Sequence, residues 1–180
     1  MKKLILIFFF AIFSITSFCQ GIYKATSGVI DFFSEAPMEN IEAKNTQVKA
    51  IMNIEKHEIA FIVPVIGFKF EKPLMEEHFN ENYMESEKYK TAQFSGKYTG
   101  NVDFKTDGEY PVTGEGKLNI HGVEQEREFK GAIKVEGGKV ILTCKFDVHL
   151  KDHKIKIPKV VVKNIAEKVE VNVNVTFEPK

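Results

Sequence analysis

The chain has 180 residues, and its 25 lysines and arginines balance its 25 aspartates and glutamates, which gives a formal net charge of zero. This balance leaves no basic excess to hold a nucleic acid or an anionic membrane surface, so we expect neither partner. The length corresponds to one domain with a sizeable hydrophobic core.

The first 19 residues have the organisation of a secretory signal peptide. Lys2 and Lys3 precede an apolar run from Leu4 to Phe13, which is too short for a membrane span. Ser17 and Cys19 are small residues at the two positions that a signal peptidase reads. We therefore expect cleavage after residue 19, export of the protein, and one domain over residues 20–180 without a stable membrane span.

Two other interpretations of this segment stay open: an uncleaved membrane anchor, and a lipoprotein acylated on Cys19. Bulky Phe18 disfavours the lipoprotein, because the residue before an acylated cysteine is normally small. If Cys19 leaves with the signal, Cys144 is the one remaining cysteine and no internal disulfide can form. Cys144 lies on the apolar face of a predicted strand, which indicates a small buried hydrophobic residue rather than a nucleophile.

Strand-forming residues dominate the sequence before residue 66. The predicted elements are, in order, a strand at 28–34, a loop at 36–45, and a hairpin of strands 47–54 and 58–65. Lys56 and His57 mark the turn of this hairpin. Pro64 and Gly67 should end its pairing or introduce a bulge.

Residues 73–83 interrupt the β pattern and predict one short helix. Pro73 suits the first helical turn. Apolar and aromatic side chains then recur at roughly helical spacing, at Leu74, Met75, His78, Phe79 and Met84. This helix would either cover an entrance to the barrel interior as a gate or complete the core as a plug.

A period of two returns repeatedly after residue 90. In the last segment, valines and a phenylalanine alternate with polar residues, so the strand has one apolar face and one solvated face: Val169, Val171, Val173, Val175 and Phe177. The pattern predicts six strands, at 91–102, 110–121, 126–135, 139–150, 154–162 and 167–178. Because short turns link most of them, we expect antiparallel pairing.

These elements predict an all-β fold, an antiparallel β-barrel of about eight strands with one short helix. A two-sheet sandwich is the structural alternative. Glycines inside the strand patterns favour the barrel, because strongly coiled strands bend at glycine; they are Gly96, Gly100, Gly114, Gly116 and Gly131.

The residues that could carry catalysis or bind a metal form no known motif. The five histidines lack the paired spacing of metal ligands, and we expect His149 and His153 to be solvated surface residues. For His121 we expect a hydrogen bond within its own turn rather than a role as catalytic base. Glutamates crowd the predicted helix, as on a solvated helix face. We therefore predict no catalytic residue, no metal site, no cofactor and no enzymatic activity.

Three segments resemble the YceI-like family of bacterial lipid- and polyisoprenoid-binding proteins. Residues 116–123, Gly-Lys-Leu-Asn-Ile-His-Gly-Val, match its G-x-L-x-I-H-G-V motif. Residues 78–96 are similar to the helix and following strand of that family, and residues 28–33 to its opening strand. The resemblance implies a lipocalin-like barrel, export, typically to the periplasm, and an apolar tunnel that carries a long isoprenoid chain.

Periodicity alone leaves open whether side chains fill the barrel or line a tunnel, and the resemblance favours the tunnel. We predict a non-enzymatic binding or carrier protein for a polyisoprenoid, an isoprenoid quinone or a fatty-acyl lipid. The predicted lining is Phe61, Phe79, Phe94, Tyr98, Leu118, Ile120, Phe129, Ile133, Leu142, Phe146, Val171 and Val173. The alternative is an exported stress-response or protein-interaction module with a solidly packed barrel. The sequence allows a homodimer in either case.

Overall fold

A computed structural model describes residues 21–35, 40–157 and 167–180 of the chain. Most of these residues belong to ten strands: β1 (Ile22–Ser34), β2 (Ile41–Asn45), β3 (Lys49–Asn53), β4 (Glu58–Pro64), β5 (Phe68–Phe70), β6 (Thr91–Thr99), β7 (Gly108–Ile120), β8 (Val123–Glu136), β9 (Lys139–His149) and β10 (Lys168–Pro179). Helix α1 (Pro73–His78) continues into a π-helical turn at Phe79–Tyr83. Short 3-10 turns lie at Val65–Gly67 and Leu150–His153.

Eight of the strands close into an antiparallel barrel. Their order around the wall is β1, β3, β4, β6, β7, β8, β9 and β10, and β10 pairs with β1 to complete the circle. Each strand alternates an apolar and a polar face, so closure places all the apolar faces in one interior. The predicted all-β barrel with one short helix is confirmed.

Strand β1 takes two partners along one edge. Its first residues, Ile22 to Lys24, pair with β3, and its last residues, Ile30 to Ser34, pair with β2. Strand β2 in turn pairs with β5, and an ion pair between Lys69 of β5 and Glu76 ties this extension to α1. The extension and α1 therefore lie together at one end of the barrel, which we call the helix end.

Two glycines allow β6 and β7 to approach closely where the wall curves. Gly96 and Gly116 are direct partners in the register. A Cβ on Gly96 would lie 2.1 Å from the carbonyl oxygen of Glu115, and one on Gly116 would lie 2.3 Å from that of Ser95. No side chain fits at either position, in agreement with the expectation that glycine marks the bends of a coiled strand.

The opposite end of the barrel holds the main core. There the side chains of Met52, Ile133, Val175 and Phe177 are completely inaccessible to solvent, and Phe61 contacts Phe177 edge to face, with ring centroids 6.3 Å apart. We call this the packed end.

Strands β8 and β9 separate toward the helix end. Their backbone pairing covers residues 131–136 of β8 and 139–144 of β9. Within the described residues, 123–130 of β8 pair with β7 alone and 145–149 of β9 pair with β10 alone. We call the boundary between residues 123–130 and 145–153 the β8–β9 seam.

Side-chain hydrogen bonds bridge this seam in place of the backbone ladder. Arg127 Nη2 donates to the carbonyl oxygen of Asp147 at 2.7 Å, and Gln125 Nε2 donates to that of Asp152 at 3.1 Å. Because a buried carbonyl without a donor is unfavourable, these contacts satisfy groups that a continuous sheet would pair.

Several predicted boundaries are wrong. Residues 41–45 were predicted as loop but form β2, because the long edge of β1 needs a second partner; β5 is too short for periodicity to reveal. The predicted strand 154–162 is not observed over 154–157: Lys154 has a positive φ of 57° and ends the preceding 3-10 turn. Residues 158–162 lie outside the described part of the chain, as do the signal peptide and Cys19.

Candidate functional site

The barrel interior contains an apolar cavity of about 580 Å³ that extends toward the helix end. Its wall is made by inward-facing residues of the strands, together with residues of α1, the π-helical turn and the 3-10 turn at 150–153. Among the described residues that line it there is no aspartate, glutamate, lysine or arginine. A cavity of this volume and polarity suits a small apolar molecule or part of a long chain.

All twelve residues predicted as lining border this cavity: Phe61, Phe79, Phe94, Tyr98, Leu118, Ile120, Phe129, Ile133, Leu142, Phe146, Val171 and Val173. Their contact with a ligand stays a prediction. The sequence reasoning missed the contributions of β1 and β5, among them Ile30, Phe32, Phe68 and Phe70. For β1 the alternation was present in the sequence, whereas β5 gave no signal because it was not recognised as a strand.

Aromatic rings form a continuous row across the middle of the cavity. The ring of Phe94 on β6 lies 5.4 Å from that of Phe129 on β8, and Phe129 lies 4.4 Å from Phe146 on β9, measured between centroids. The second contact crosses the β8–β9 seam. The row therefore packs the wall together at the place where the backbone ladder is missing.

A second aromatic cluster surrounds Phe79 at the helix end. Its ring centroid lies 5.6 Å from that of Phe32, 5.7 Å from Phe68 and 5.0 Å from Phe70. No residue of α1 or of the π-helical turn is fully buried, and Leu74 is 60% exposed. The helix α1 and the π-helical turn, which cover the cavity, are therefore held mainly by Phe79. These contacts are compatible with both interpretations of the helix, the gate and the plug.

Three described residues of the cavity wall carry a hydroxyl group, Ser34, Tyr83 and Tyr98, and the hydroxyl oxygens of Ser34 and Tyr98 are buried. Ser34, at the end of β1, is 1% exposed, and Tyr98 of β6, at the packed end, is 4% exposed. Neither hydroxyl oxygen has a hydrogen-bond partner among the described residues. Burial raises the pKa of Tyr98 to about 12, so its phenol is protonated at neutral pH.

Cys144 also lines the cavity, on the inward face of β9. Its Sγ donates to the carbonyl oxygen of Lys130 across the end of the paired region, at 3.4 Å. Burial raises the pKa of this thiol to about 11, which keeps it protonated and unreactive. The expected role as a small apolar residue agrees with this environment.

The histidine of the G-x-L-x-I-H-G-V motif joins three separate segments at the helix end. His121 is buried; its Nδ1 donates to the carbonyl oxygen of His153 at 3.1 Å, and its Nε2 lies 2.9 Å from Oε2 of Glu85. The ring of Tyr89 lies 4.3 Å away between centroids. The expectation of a hydrogen bond within the turn is wrong, since these partners are 32 and 36 residues distant in sequence.

His153 is also not the surface residue that was expected. It is completely inaccessible to solvent, and its Nδ1 donates to the carbonyl oxygen of Val123 at 3.2 Å, across the β8–β9 seam. Burial lowers the pKa of His153. Because only long-range contacts bury His153, the local sequence pattern around His149 and His153 could not reveal this burial.

Over the described residues, no group of three or more histidine, cysteine, aspartate or glutamate side chains could hold a metal ion. In the same part of the chain, no helix has the length and apolar character needed to cross a bilayer.

A protein-family model matches this chain in sequence, and solved structures match it in fold. The family model described as YceI-like domain matches residues 12–177. No curated protein matches the chain in sequence.

Solved structures share the fold at low sequence identity. A polyisoprenoid-binding domain from Saccharophagus degradans is 11% identical, with a TM-score of 0.74 over 88% of this chain and 98% of the other. BcnA of Burkholderia cenocepacia is also 11% identical, with a TM-score of 0.71 over 83% and 95%. A YceI protein of Campylobacter jejuni is 13% identical, with a TM-score of 0.63 over 81% and 90%.

Proposed function

The chain belongs to the YceI-like family, and from this premise we propose that its cavity binds a long apolar lipid: a polyisoprenoid, an isoprenoid quinone or a fatty-acyl chain. The protein would act as an exported carrier or sequestering protein without enzymatic activity. The observation that carries this proposal is the cavity itself, which has a volume of about 580 Å³ and whose described lining contains no aspartate, glutamate, lysine or arginine. The polyisoprenoid-binding domain of Saccharophagus degradans, which has the same fold, supports it.

The energetics favour a chain-like guest. Burying each methylene group contributes about 0.8 kcal/mol, so a long chain binds tightly with few polar contacts. The row of Phe94, Phe129 and Phe146 would contact the middle of this chain, with the other nine predicted lining residues around it. Phe79 would contact the chain where it leaves the barrel.

Native mass spectrometry after gentle purification, followed by organic extraction, tests the proposal. We expect the protein to carry a prenyl or acyl lipid or to take one up when it is supplied. Replacing Leu142 with Trp fills part of the cavity and should reduce lipid uptake. Thr143→Trp is the matched control, because Thr143 is the next residue of β9 and is exposed on the outer face.

Far-UV circular dichroism would verify that both variants keep the β fold. A wild-type protein that arrives empty and takes up no prenyl or acyl chain would contradict the proposal. That result would favour the alternative, an exported stress-response or protein-interaction module.

Export rests on the sequence of residues 1–19, and it has its own test. We expect the intact mass of the exported protein to correspond to a chain that begins at Gln20. A mass that includes acyl groups on Cys19 would indicate a lipoprotein instead. Retention of residues 1–19 would indicate a membrane anchor.

A further inference from the structure

The two buried hydroxyl groups of the cavity wall, those of Ser34 and Tyr98, lie at different depths. Ser34 ends β1 beside β2, at the helix end. Tyr98 belongs to the core cluster of the packed end, together with Met52, Ile59 and Ile133. A molecule that fills the cavity from the helix end would therefore bring its leading end to Tyr98.

The hydroxyl of Tyr98 is buried at the packed end. Its oxygen is inaccessible and has no hydrogen-bond partner among the described residues, although the backbone N–H of Tyr98 donates to the carbonyl oxygen of His57 at 2.9 Å. Buried polar side chains in native proteins are nearly always paired. Because Tyr98 borders the cavity, a bound molecule is the partner that its position favours.

Gly114 leaves room beside this hydroxyl. It is the register partner of Tyr98 on β7 and also borders the cavity. A Cβ at Gly114 would approach no atom closer than 3.9 Å, in contrast to Gly96 and Gly116, where a Cβ would collide with backbone. The close approach of β6 and β7 does not require glycine at position 114. The missing side chain of Gly114 therefore enlarges the cavity next to Tyr98.

The chemistry of the wall restricts what the leading end can be. The phenol of Tyr98 is protonated at neutral pH and so can donate a hydrogen bond. No lysine or arginine among the described residues lines the cavity to balance an anion there, and a buried unpaired charge is strongly unfavourable. A carboxylate or phosphate is therefore excluded from this position, whereas a neutral carbonyl group fits it.

We propose that Tyr98 donates a hydrogen bond to a neutral carbonyl at the leading end of the lipid, that Gly114 provides the space for this group, and that the lipid enters the barrel polar end first. This inference rests on the proposed lipid-binding function. The carbonyl belongs to a quinone ring or to an acyl group, and the choice of probes separates these two sources.

Four probes test the proposal with the full mature protein at pH 8. Methyl oleate carries an acyl carbonyl, and 9-octadecene has an equally long chain without one. Decylubiquinone carries ring carbonyls, and sodium oleate carries a charged head on the same acyl chain. Dissociation constants from native mass spectrometry or equilibrium dialysis give the comparison, and infrared spectroscopy reports hydrogen bonding to the bound carbonyl.

Tyr98→Phe removes the hydroxyl and keeps the ring. We expect it to weaken binding of the favoured carbonyl probe about tenfold, the effect of one buried hydrogen bond, and to leave binding of 9-octadecene unchanged. The infrared band of the bound carbonyl should move to higher frequency in this variant. If Tyr98→Phe weakens binding of decylubiquinone alone, the carbonyl at the leading end belongs to a quinone ring. If it weakens binding of methyl oleate alone, the carbonyl belongs to an acyl group.

Two matched variants control for other effects. Thr99→Val removes a hydroxyl from the exposed outer face of β6, next to Tyr98, and should leave the affinity for both carbonyl probes unchanged. Tyr110→Phe removes a tyrosine hydroxyl that already donates to the carbonyl oxygen of Thr106 at 2.9 Å, so it should lower stability without altering binding. In the ligand-free protein, Tyr98→Phe should not lower stability, because no hydrogen bond is lost.

Gly114→Val tests the space beside Tyr98. It should weaken binding of the carbonyl probe more than binding of 9-octadecene, because the hydrocarbon can bind without reaching the packed end.

Clear results would overturn the proposal. Equal effects of Tyr98→Phe on the hydrocarbon and carbonyl probes, or no effect on either, contradict a hydrogen bond to the head group. Tighter binding of oleate than of methyl oleate contradicts a neutral head. If the wild-type protein binds none of the four probes, the proposed lipid-binding function fails as well, whereas binding of 9-octadecene alone overturns only the inference about Tyr98.

Discussion

The packed end and the helix end of the barrel are stabilised in different ways. At the packed end, neighbouring strands pair through their backbones, and Met52, Ile133 and Phe177 are completely buried. At the helix end, α1 and the following turn contain no fully buried residue, and side chains bridge the β8–β9 seam. Regions with few buried apolar contacts open at low free energy. The packed end therefore preserves the shape of the cavity, and the helix end is the part that can adapt to a guest.

The largest effect on stability should come from truncating the core of the packed end. Phe177→Ala removes a ring that is fully buried and contacts Phe61 edge to face. We expect a loss of about 3–5 kcal/mol in the free energy of unfolding, measured by urea denaturation.

Phe33→Ala is the matched control for this prediction. Phe33 is half-buried on the face of β1 opposite to the cavity-lining Phe32. Its truncation should destabilise the protein less than half as much. Equal losses for the two variants would show that the packed end is not the main source of stability.

The helix end should respond more in ligand exchange than in stability. Phe79→Ala removes the ring that holds the cover to Phe32, Phe68 and Phe70. Because Phe79 is half-buried, we expect a loss of about 2 kcal/mol, together with faster release of bound lipid.

This pair of measurements distinguishes the gate from the plug. For Phe79→Ala, the rate of lipid release is measured by transfer to acceptor vesicles, and the stability is measured as the urea unfolding midpoint. A loss of about 3–5 kcal/mol with unchanged release would identify α1 as a plug that completes the core.

The two ends also differ in how well the sequence predicted them. The long barrel strands were predicted because their alternation is strict, as in the valines that precede Phe177, and a period of two directly specifies the inward face. The lining could be deduced in the same way: Phe94, Phe129 and Phe146 all lie on the apolar phase of their strands. The local alternation of apolar and polar residues is enough to predict the strands and their inward faces where backbone pairing continues along the barrel wall.

Long-range contacts explain what the sequence did not reveal. Strand β2 has the alternation of Ala43 and Asn45 with charged residues, but it forms only because the edge of β1 is free there. His153 is surrounded by polar residues in sequence and is buried by β8. The separation of β8 and β9 does leave a local trace, because Gln125 and Arg127 stand on the phase of β8 that carries Phe129 and other apolar residues further along the strand.

A smaller effect is expected at the β8–β9 seam. Arg127→Ala removes the donor to the carbonyl oxygen of Asp147, so this carbonyl loses a charge-assisted partner. We expect a loss of about 1–2 kcal/mol and faster amide hydrogen exchange in residues 145–149, measured by mass spectrometry.

Lys117→Ala is the matched control for the seam. Lys117 lies on the neighbouring strand and forms an exposed ion pair with Glu124 at 2.8 Å. Exposed ion pairs contribute little to stability, so Lys117→Ala should lower the free energy of unfolding by less than about 1 kcal/mol. Unchanged hydrogen exchange in Arg127→Ala would show that the aromatic contact between Phe129 and Phe146 holds the seam alone.

The smallest effect is a dependence of stability on pH at the helix end. Burial, with a lesser contribution from the charge of Arg127, lowers the pKa of His153, while hydrogen bonds to the Val123 and Ile120 carbonyls and the charge of Asp152 oppose this shift. The folded protein therefore keeps His153 neutral at a pH where the unfolded chain already binds a proton. Since the unfolded state binds more protons below about pH 6.5, the free energy of unfolding should decrease as the pH falls through that value toward the lowered pKa.

Thermal unfolding between pH 7.5 and pH 5.5 measures this dependence. His153→Gln removes the titrating ring and should give a flatter profile, whereas the exposed His149→Gln should retain the wild-type slope. The effect belongs to the helix end because His153 receives its burial from the seam, and the core of the packed end contains no titratable group that changes charge in this range. A wild-type profile that is flat over the interval, or one that His153→Gln leaves unchanged, would show that His153 is not held neutral by its burial and that the seam is open to water.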